Sequence, residues 1–361
     1  MTGKNFVARH LLRRSFLSLI LFPFSLLFSL ILIARRFLYK SFLFQYKAPV
    51  CVISIGNIIA GGSGKTPFTI YLAQLLQKEG YRCAVSHRGY KSSLEREVTL
   101  ISDREKLLPL SDSAGDEAWL LAKRLTGIPV VVGKDRVRAV KLLCDRFQDL
   151  DFVILDDSFQ NLKLHHDLDI VVVSEKLGFG NGFVLPAGYL REPLSALQDA
   201  DLLILNRQDF IREINSKLVR QIEQTGKDAL SGSYILSSIY DFQGQEILMD
   251  QIRQKRVILA SGIGNPESFR QTVSSCGISI SGEICFPDHY GFQDENGRGR
   301  ILSLAREKAA EWIIVTEKDY AKLRHYREFS DTLLILQIGF VLEEDTKKLL
   351  EFIKDNTLPI K

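Results

Sequence analysis

At 361 residues, 46% hydrophobic and 25% charged, the chain is long enough for two domains with sizeable cores and reads as ordinary globular protein apart from one end. Its net charge of +4 is local: residues 1–48 hold eight basic groups and no acidic one, the first carboxylate is Glu79, and the remainder is slightly acidic. This argues against a general nucleic-acid binder and for a basic segment at an anionic membrane surface. The five cysteines are widely spaced and form no C-x-x-C pair, so neither zinc nor a disulfide framework is indicated, and reducing cytosol is the expected compartment for the bulk of the protein.

Residues 15–34, SFLSLILFPFSLLFSLILIA, carry no charge. As a helix they reach about 30 Å, the thickness of a bilayer's hydrocarbon core. Arg13-Arg14 and Arg35-Arg36 bracket them, placed to snorkel to the interfaces, while basic residues on both sides leave orientation open. A cleaved signal peptide is disfavoured, because two arginines and no small-x-small site follow. The segment is expected to be an N-terminal transmembrane helix, with a hairpin in one leaflet, broken at Pro23, as the alternative.

Beyond this anchor (1–47), apolar runs alternate with helical patterns. Strands are expected at 50–56, 82–88, 128–133, 152–157, 168–174 and 201–207, with helices such as DEAWLLAKRLTG and RVRAVKLLCDRF between them. That order implies an α/β fold whose mostly parallel sheet is covered on both faces, spanning about 48–210. The pattern loosens near 210 and resumes with RVILASG, EWIIVTEK and TLLILQIGF, so a second, smaller α/β lobe is expected over 211–361.

IAGGSGKTP (59–67) follows the first strand. A P-loop, G-x-x-x-x-G-K-[ST], would start with glycine where this chain has Ile59, yet every chemically active position is present. Gly61, Gly62, Ser63 and Gly64 can turn backbone N–H groups towards phosphate at a helix N-terminus. Lys65 reaches the β- and γ-phosphates, Thr66 ligates Mg²⁺, and Pro67 suits the first helical turn. VILDD then ends a strand with Asp156 and Asp157, where a P-loop enzyme keeps the carboxylate that holds magnesium or its water. LNRQD (205–209) comes close to the guanine-reading N-K-x-D, with Arg207 in place of lysine, and TEKD fits the variant worse. SGIGNPES lacks the third glycine of a dinucleotide fingerprint.

GNIIAGGSGKTP, SHRGYK, AGDEAWLLA, VVVGKDR, LDDSFQN, LDIVVV, LPAGYLREP, GIGNPESF, FPDHY and TEKDYAKL occur in one order. In that order the chain resembles the tetraacyldisaccharide 4′-kinases, the lipid A kinases of bacteria with an outer membrane. The resemblance runs from about 48 to 325, and the missing first glycine belongs to it. It implies a P-loop kinase core that uses ATP and Mg²⁺ to phosphorylate the 4′-hydroxyl of an acylated glucosamine disaccharide 1-phosphate. It also implies an inner-membrane location with the catalytic domains facing the cytoplasm, and the charge distribution indicates no nucleic acid, with no obligate protein partner evident.

A sugar hydroxyl is a poor nucleophile, so a base is needed. The resemblance makes Asp116 that base, puts Glu117 in the metal or phosphate environment, and makes His289 the group that orients or polarises Asp116 once the lobes close. Unaided, the residues leave other readings open, since helix-start carboxylates and a lone Asp288-His289 pair are commonly structural. Arg191 in PAGYLREP suits bidentate phosphate recognition, and the resemblance places it in the active site with Glu192 on the cofactor side, as it does Asp157. Arg88 is a further candidate, with Lys134, Asp135 and Arg136 behind it. The family's D-D-G-x-Q-H reads D-D-S-F-Q-N here: Ser158 replaces glycine, and Asn161 replaces a histidine that could carry charge. The competing reading is a membrane-tethered nucleotide switch or coupling ATPase, supported by LNRQD.

Overall fold

The computed structural model describes residues 15–41, 44–60, 64–90, 92–207, 215–288 and 290–357. Described residues up to Tyr234 and from Phe340 onward form one compact unit, and Ile235–Gly339 the other. The first contains α1 (Phe16–Ser41), β1 (Cys51–Gly56), α2 (Lys65–Lys78), β2 (Cys83–His87), β3 (Thr99–Ser102) and α3 (Asp116–Arg124). It continues with β4 (Val130–Val132), α4 (Arg136–Arg146), β5 (Phe152–Asp156), β6 (Leu168–Ser174), β7 (Leu202–Arg207), α5 (Ser216–Glu223) and the start of β8 (Asp228–Asp241).

The strands of this unit lie in the order β8-β7-β6-β1-β5-β2-β4-β3, parallel except for β3 against β4. Unbroken apolar runs suit such strands, because both faces are covered. In β1, Ile53 and Ile55 enter one apolar cluster with α2, while Val52 joins a second cluster with α4 on the opposite face. The strand order reverses at β1, and ligands of open parallel sheets sit at the carboxyl ends of the strands around such a point. Ile55 is level with Asp156 at the end of β5, which brings that carboxylate beside the loop leaving β1.

The second unit holds the rest of β8, α6 (Met249–Arg253), β9 (Val257–Ser261), α7 (Pro266–Ser275), β10 (Ile280–Cys285), α8 (Glu295–Glu307), β11 (Trp312–Thr316), α9 (Glu317–Leu323) and most of β12 (Leu333–Leu342). Its strands run β10-β9-β11-β12, all parallel, with an apolar cluster on each face. The sequence reading divides the chain near 210. In the structure the units divide inside β8 and again inside β12. The last helix, α10 (Thr346–Thr357), buries Leu349, Leu350 and Ile353 in the core of the first unit, a stripe that needed an apolar partner.

Helix α1 runs seven residues beyond the uncharged 15–34 stretch and takes in Arg35, Arg36 and Lys40, cations that suit a helix C-terminus. Pro23 lies inside it without ending it. Its amphipathicity is inverted: the buried residues are Ser18, Ser25 and Arg36, while Phe16, Leu19, Ile20, Phe24, Leu27, Leu30 and Ile31 are exposed. Spacings of seven and eleven residues return to one helix face, so the polar stripe runs about 27 Å along the helix. Ser25 Oγ donates to Val184 O (2.6 Å) and accepts from Ala187 N (2.9 Å), and Asn181 Nδ2 donates to Ser18 Oγ at 3.5 Å. The polar stripe therefore seats α1 lengthwise on its own unit, and its outward face presents a large apolar surface that water does not favour.

Candidate active site

The site is assembled at the carboxyl ends of β1, β5 and β2. Gly64 caps α2 with φ 92°, and a Cβ there would overlap the Tyr234 hydroxyl and meet Asn206 Nδ2 at 2.7 Å, so this position takes glycine for both reasons. Lys65 opens α2, and its Nζ lies 3.4 Å from Asp157 Oδ1. Arg191 Nη1 approaches the other Asp157 oxygen, also at 3.4 Å. Burial pushes the Asp157 carboxyl up, but Lys65 and Arg191, helped by Arg136, outweigh it and hold the group below its ordinary value. Asp157 is thus an anion between two cations at a helix N-terminus, with its backbone left-handed at φ 53°.

Asp156 is buried and bound on both oxygens: Thr66 Oγ1 donates to Oδ2 (3.1 Å) and Thr69 Oγ1 to Oδ1 (2.9 Å). The buried Arg136 guanidinium reaches the Asp156 carbonyl and donates to Ser86 Oγ at 2.9 Å. Burial pushes Arg136 down to about 10, with Asp156 and Asp157 opposing the shift. Asp135 caps α4 by accepting from Arg138 N (3.1 Å), so that charged turn has a structural part as well. His87 closes the group: its Nδ1 accepts from Gly89 N (2.9 Å), which directs the Nε2 proton towards Asp156 Oδ2 at 3.6 Å and Glu117 Oε2 at 3.8 Å. Asp116 and Glu117 begin α3 after Gly115, so that Glu117 and Asp156 both approach the same His87 nitrogen.

Thr66, Asp156 and Glu117 are oxygen donors of the kind Mg²⁺ prefers. Among the described residues no three His, Cys, Asp or Glu converge into a protein-only metal cage. Magnesium in nucleotide sites is held by one or two carboxylates, phosphates and water, so this donor set fits that ion.

The structure brings together Lys65, Thr66, Asp156, Asp157, Arg191 and, through His87, Glu117. Glu192 turns elsewhere: it is buried, and its Oε2 accepts from Arg36 Nε at 2.7 Å. Gly61, Gly62, Ser63 and His289 lie outside the described residues, and Asp288 belongs to the second unit. Arg88 reaches Glu95 (3.2 Å). Arg207, the residue that spoiled N-K-x-D, is buried against Glu343 (2.7 Å), and Asp319 of TEKD is fully buried, accepting from Gly262 N at 3.1 Å and Thr316 Oγ1 at 2.8 Å. Sequence reasoning missed His87, whose place in the site depends on β2 lying next to β5 in the sheet.

Ile59 answers the question posed by the incomplete motif. It is buried in a cluster with Ile58, Phe159, Val171, Val173 and Leu190. It pairs with Leu190, flanked by Ala60 N to Tyr189 O and Arg191 N to Ile58 O, both 2.7 Å. The residue that departs from the common motif pins the arginine-bearing loop to the phosphate loop.

Residues 17–357 match the tetraacyldisaccharide-1-P 4′-kinase family. The chain belongs to this family. It is 37% identical over 341 residues to a tetraacyldisaccharide 4′-kinase of Pelobacter propionicus, covering 93% of this chain and 91% of that one. It is 35% identical over 332 residues to that of Aquifex aeolicus, covering 91% and 97%. The fold is similar to the crystal structure of LpxK from Aquifex aeolicus in complex with ATP, with TM-score 0.77 and 33% identity over 94% of this chain and 99% of that one. The kinase assignment, the P-loop α/β core and the apolar N-terminal helix expected from sequence all stand with this membership.

Proposed function

We propose that the protein transfers the γ-phosphate of ATP to the 4′-hydroxyl of tetraacyldisaccharide 1-phosphate at a membrane surface. The observation that carries this reading is the Lys65–Asp157–Arg191 cluster at the start of α2, beside the Thr66–Asp156 pair, in a chain of this family. Lys65 and Arg191 supply two positive charges where a phosphoryl group gains charge in transfer. Thr66 and Asp156, with Glu117 nearby, would hold Mg²⁺, which when bound would neutralise phosphate charge. Asp116 takes the proton of the 4′-hydroxyl as its oxygen bonds to phosphorus and the bond to the β–γ bridging oxygen breaks. His87 stands between Asp156 and Glu117 and keeps the two carboxylates in place, while His289 is the residue implied to orient Asp116.

Support for the location comes from α1. Its polar face is occupied along about 27 Å by its own unit, so a span perpendicular to the bilayer would draw that unit into hydrocarbon. Helix α1 therefore lies in one leaflet of the inner membrane, apolar face inward, and the unit rests on the cytoplasmic side. An acceptor with four acyl chains stays in that same leaflet.

The test is transfer of radiolabelled γ-phosphate to the purified lipid in detergent, with Lys65→Ala, Asp116→Ala and His289→Ala beside wild type. Labelled lipid from wild type, lost by about a hundredfold or more in Lys65→Ala and Asp116→Ala, supports the assignment. Nucleotide hydrolysis without labelled lipid would replace it with the coupling-ATPase reading. For the helix, Ser15→Cys reacting with an impermeant maleimide only from the cytoplasmic side supports one leaflet, and reaction from the far side refutes it.

A further inference from the structure

The polar stripe of α1 ends in a buried arginine whose contacts all lead to the phosphate-handling loops. Arg36 is 7% exposed. Its Nε donates to Glu192 Oε2 (2.7 Å), Nη1 to Asp199 Oδ2 (2.8 Å) and Nη2 to the Phe159 carbonyl (3.2 Å), and its guanidinium lies 4.5 Å from the centroid of the Phe159 ring. Glu192 is the neighbour of Arg191, and Phe159 follows Asp157 by two residues. Arg36 therefore holds both loops that meet at the Arg191–Asp157 pair.

A parallel contact runs from Arg35, whose Nη2 donates to the Gln160 carbonyl (3.1 Å), while Gln160 Nε2 donates to the Asn57 carbonyl (2.7 Å) directly after β1. Phe159 is wedged against the same strand: a Cβ on Gly56 would meet the Phe159 backbone N at 2.8 Å. Asp157, left-handed at φ 53°, is thus held in an uncommon conformation by neighbours fixed from α1. Glu192 Oε1 is buried with no donor among the described residues. A buried ion pair left short of a hydrogen bond is a weak source of stability, and its use here is geometric.

We propose that Arg36 is a positioning residue that ties the lipid-facing helix to the Asp157 and Arg191 loops, so that phosphoryl transfer depends on how α1 is seated and not only on its attachment to lipid. The inference rests on the kinase reading above. Arg36 lies on the protein-facing stripe, and the apolar face that meets lipid excludes it, so seating and attachment are separable by mutation.

The full chain is assayed in mixed micelles for kcat and both KM values and by sedimentation with anionic phospholipid vesicles. Variants are Arg36→Met, Arg36→Lys and, on the exposed face, Leu27→Asp. Arg36→Met binds vesicles as wild type does and keeps both KM values within about twofold, while kcat falls between about tenfold and a hundredfold, the scale of a misplacement near 1 Å. Arg36→Lys, which keeps the charge beside Glu192 and Asp199, recovers part of kcat. Leu27→Asp shows the opposite split, with weaker vesicle binding and unchanged kcat. An unchanged kcat in Arg36→Met, or a loss that only follows its loss of vesicle binding, overturns the proposal. Should Arg36→Met show no folding transition, Arg36→Lys decides: a kcat equal to wild type overturns the proposal, and a reduced one at wild-type Tm supports it. A wild type that labels no lipid sinks the kinase reading itself, whereas an active wild type beside a fully active Arg36→Met sinks only the coupling.

Discussion

Restoring the common P-loop glycine by Ile59→Gly should damage this protein. Ile59 is 2% exposed in the cluster that includes Phe159, Val173 and Leu190. Truncating a buried isoleucine costs about 2–5 kcal/mol, and glycine adds about 0.5–1 kcal/mol of backbone entropy, giving about 4 kcal/mol. For a unit of this size that lowers Tm by about 10 °C. Activity should fall as well, by about tenfold, because the Ile59–Leu190 pairing and the Arg191 N to Ile58 O bond hold the arginine loop in place. The assays are thermal denaturation in detergent and γ-phosphate transfer, with Ile59→Val as the graded control at about 1 kcal/mol. A Tm within about 2 °C of wild type for Ile59→Gly would show that the side chain is not a core element and refute the reasoning.

Replacing His87 by Ala removes the ring between Asp156 and Glu117, so the Mg²⁺ concentration giving half-maximal rate should rise several-fold (about 0.5–1 kcal/mol) with the lipid KM unchanged; an unaltered Mg²⁺ titration rejects this role. Chelation by EDTA should abolish transfer while shifting Tm by no more than about 2 °C, since among the described residues no protein-only metal cage exists; a large drop in Tm would reveal a structural ion. Burial pushes the Asp319 carboxyl above its ordinary value, against the hydrogen bond from Thr316 and the charge of Lys322. Its ionised form is therefore the costly one in the folded protein: stability is full below the ordinary carboxylate pKa of about 3.9 and falls as pH rises through the raised value. Asp319→Asn should flatten the fall in Tm seen as pH rises from about 4 to 7, and an identical pH profile for both proteins contradicts that assignment.

What the sequence made legible were the features written locally. Lys65-Thr66 after a glycine, aspartates closing an apolar strand, and strand–helix alternation each state their place in a few consecutive residues. His87 and Tyr234 carry no such mark, because what they do depends on β2 and β8 being brought into one sheet with β1 and β5. The same holds for α1. Read by composition, residues 15–34 are uniformly apolar and their serines look incidental, yet Ser18 and Ser25 share a face with Arg36, and that face is the one covered by protein. A helix meant only to cross lipid has no need for a polar stripe continuing into a buried arginine that donates to Glu192, Asp199 and the Phe159 carbonyl. A helix that must fix a soluble unit against a lipid surface needs both faces, one for each solvent. The placement of Glu192 follows from this division: read as a cofactor contact beside Arg191, it instead accepts from the arginine that α1 brings, which on the proposed reading joins the lipid-facing helix to the loop that carries Arg191.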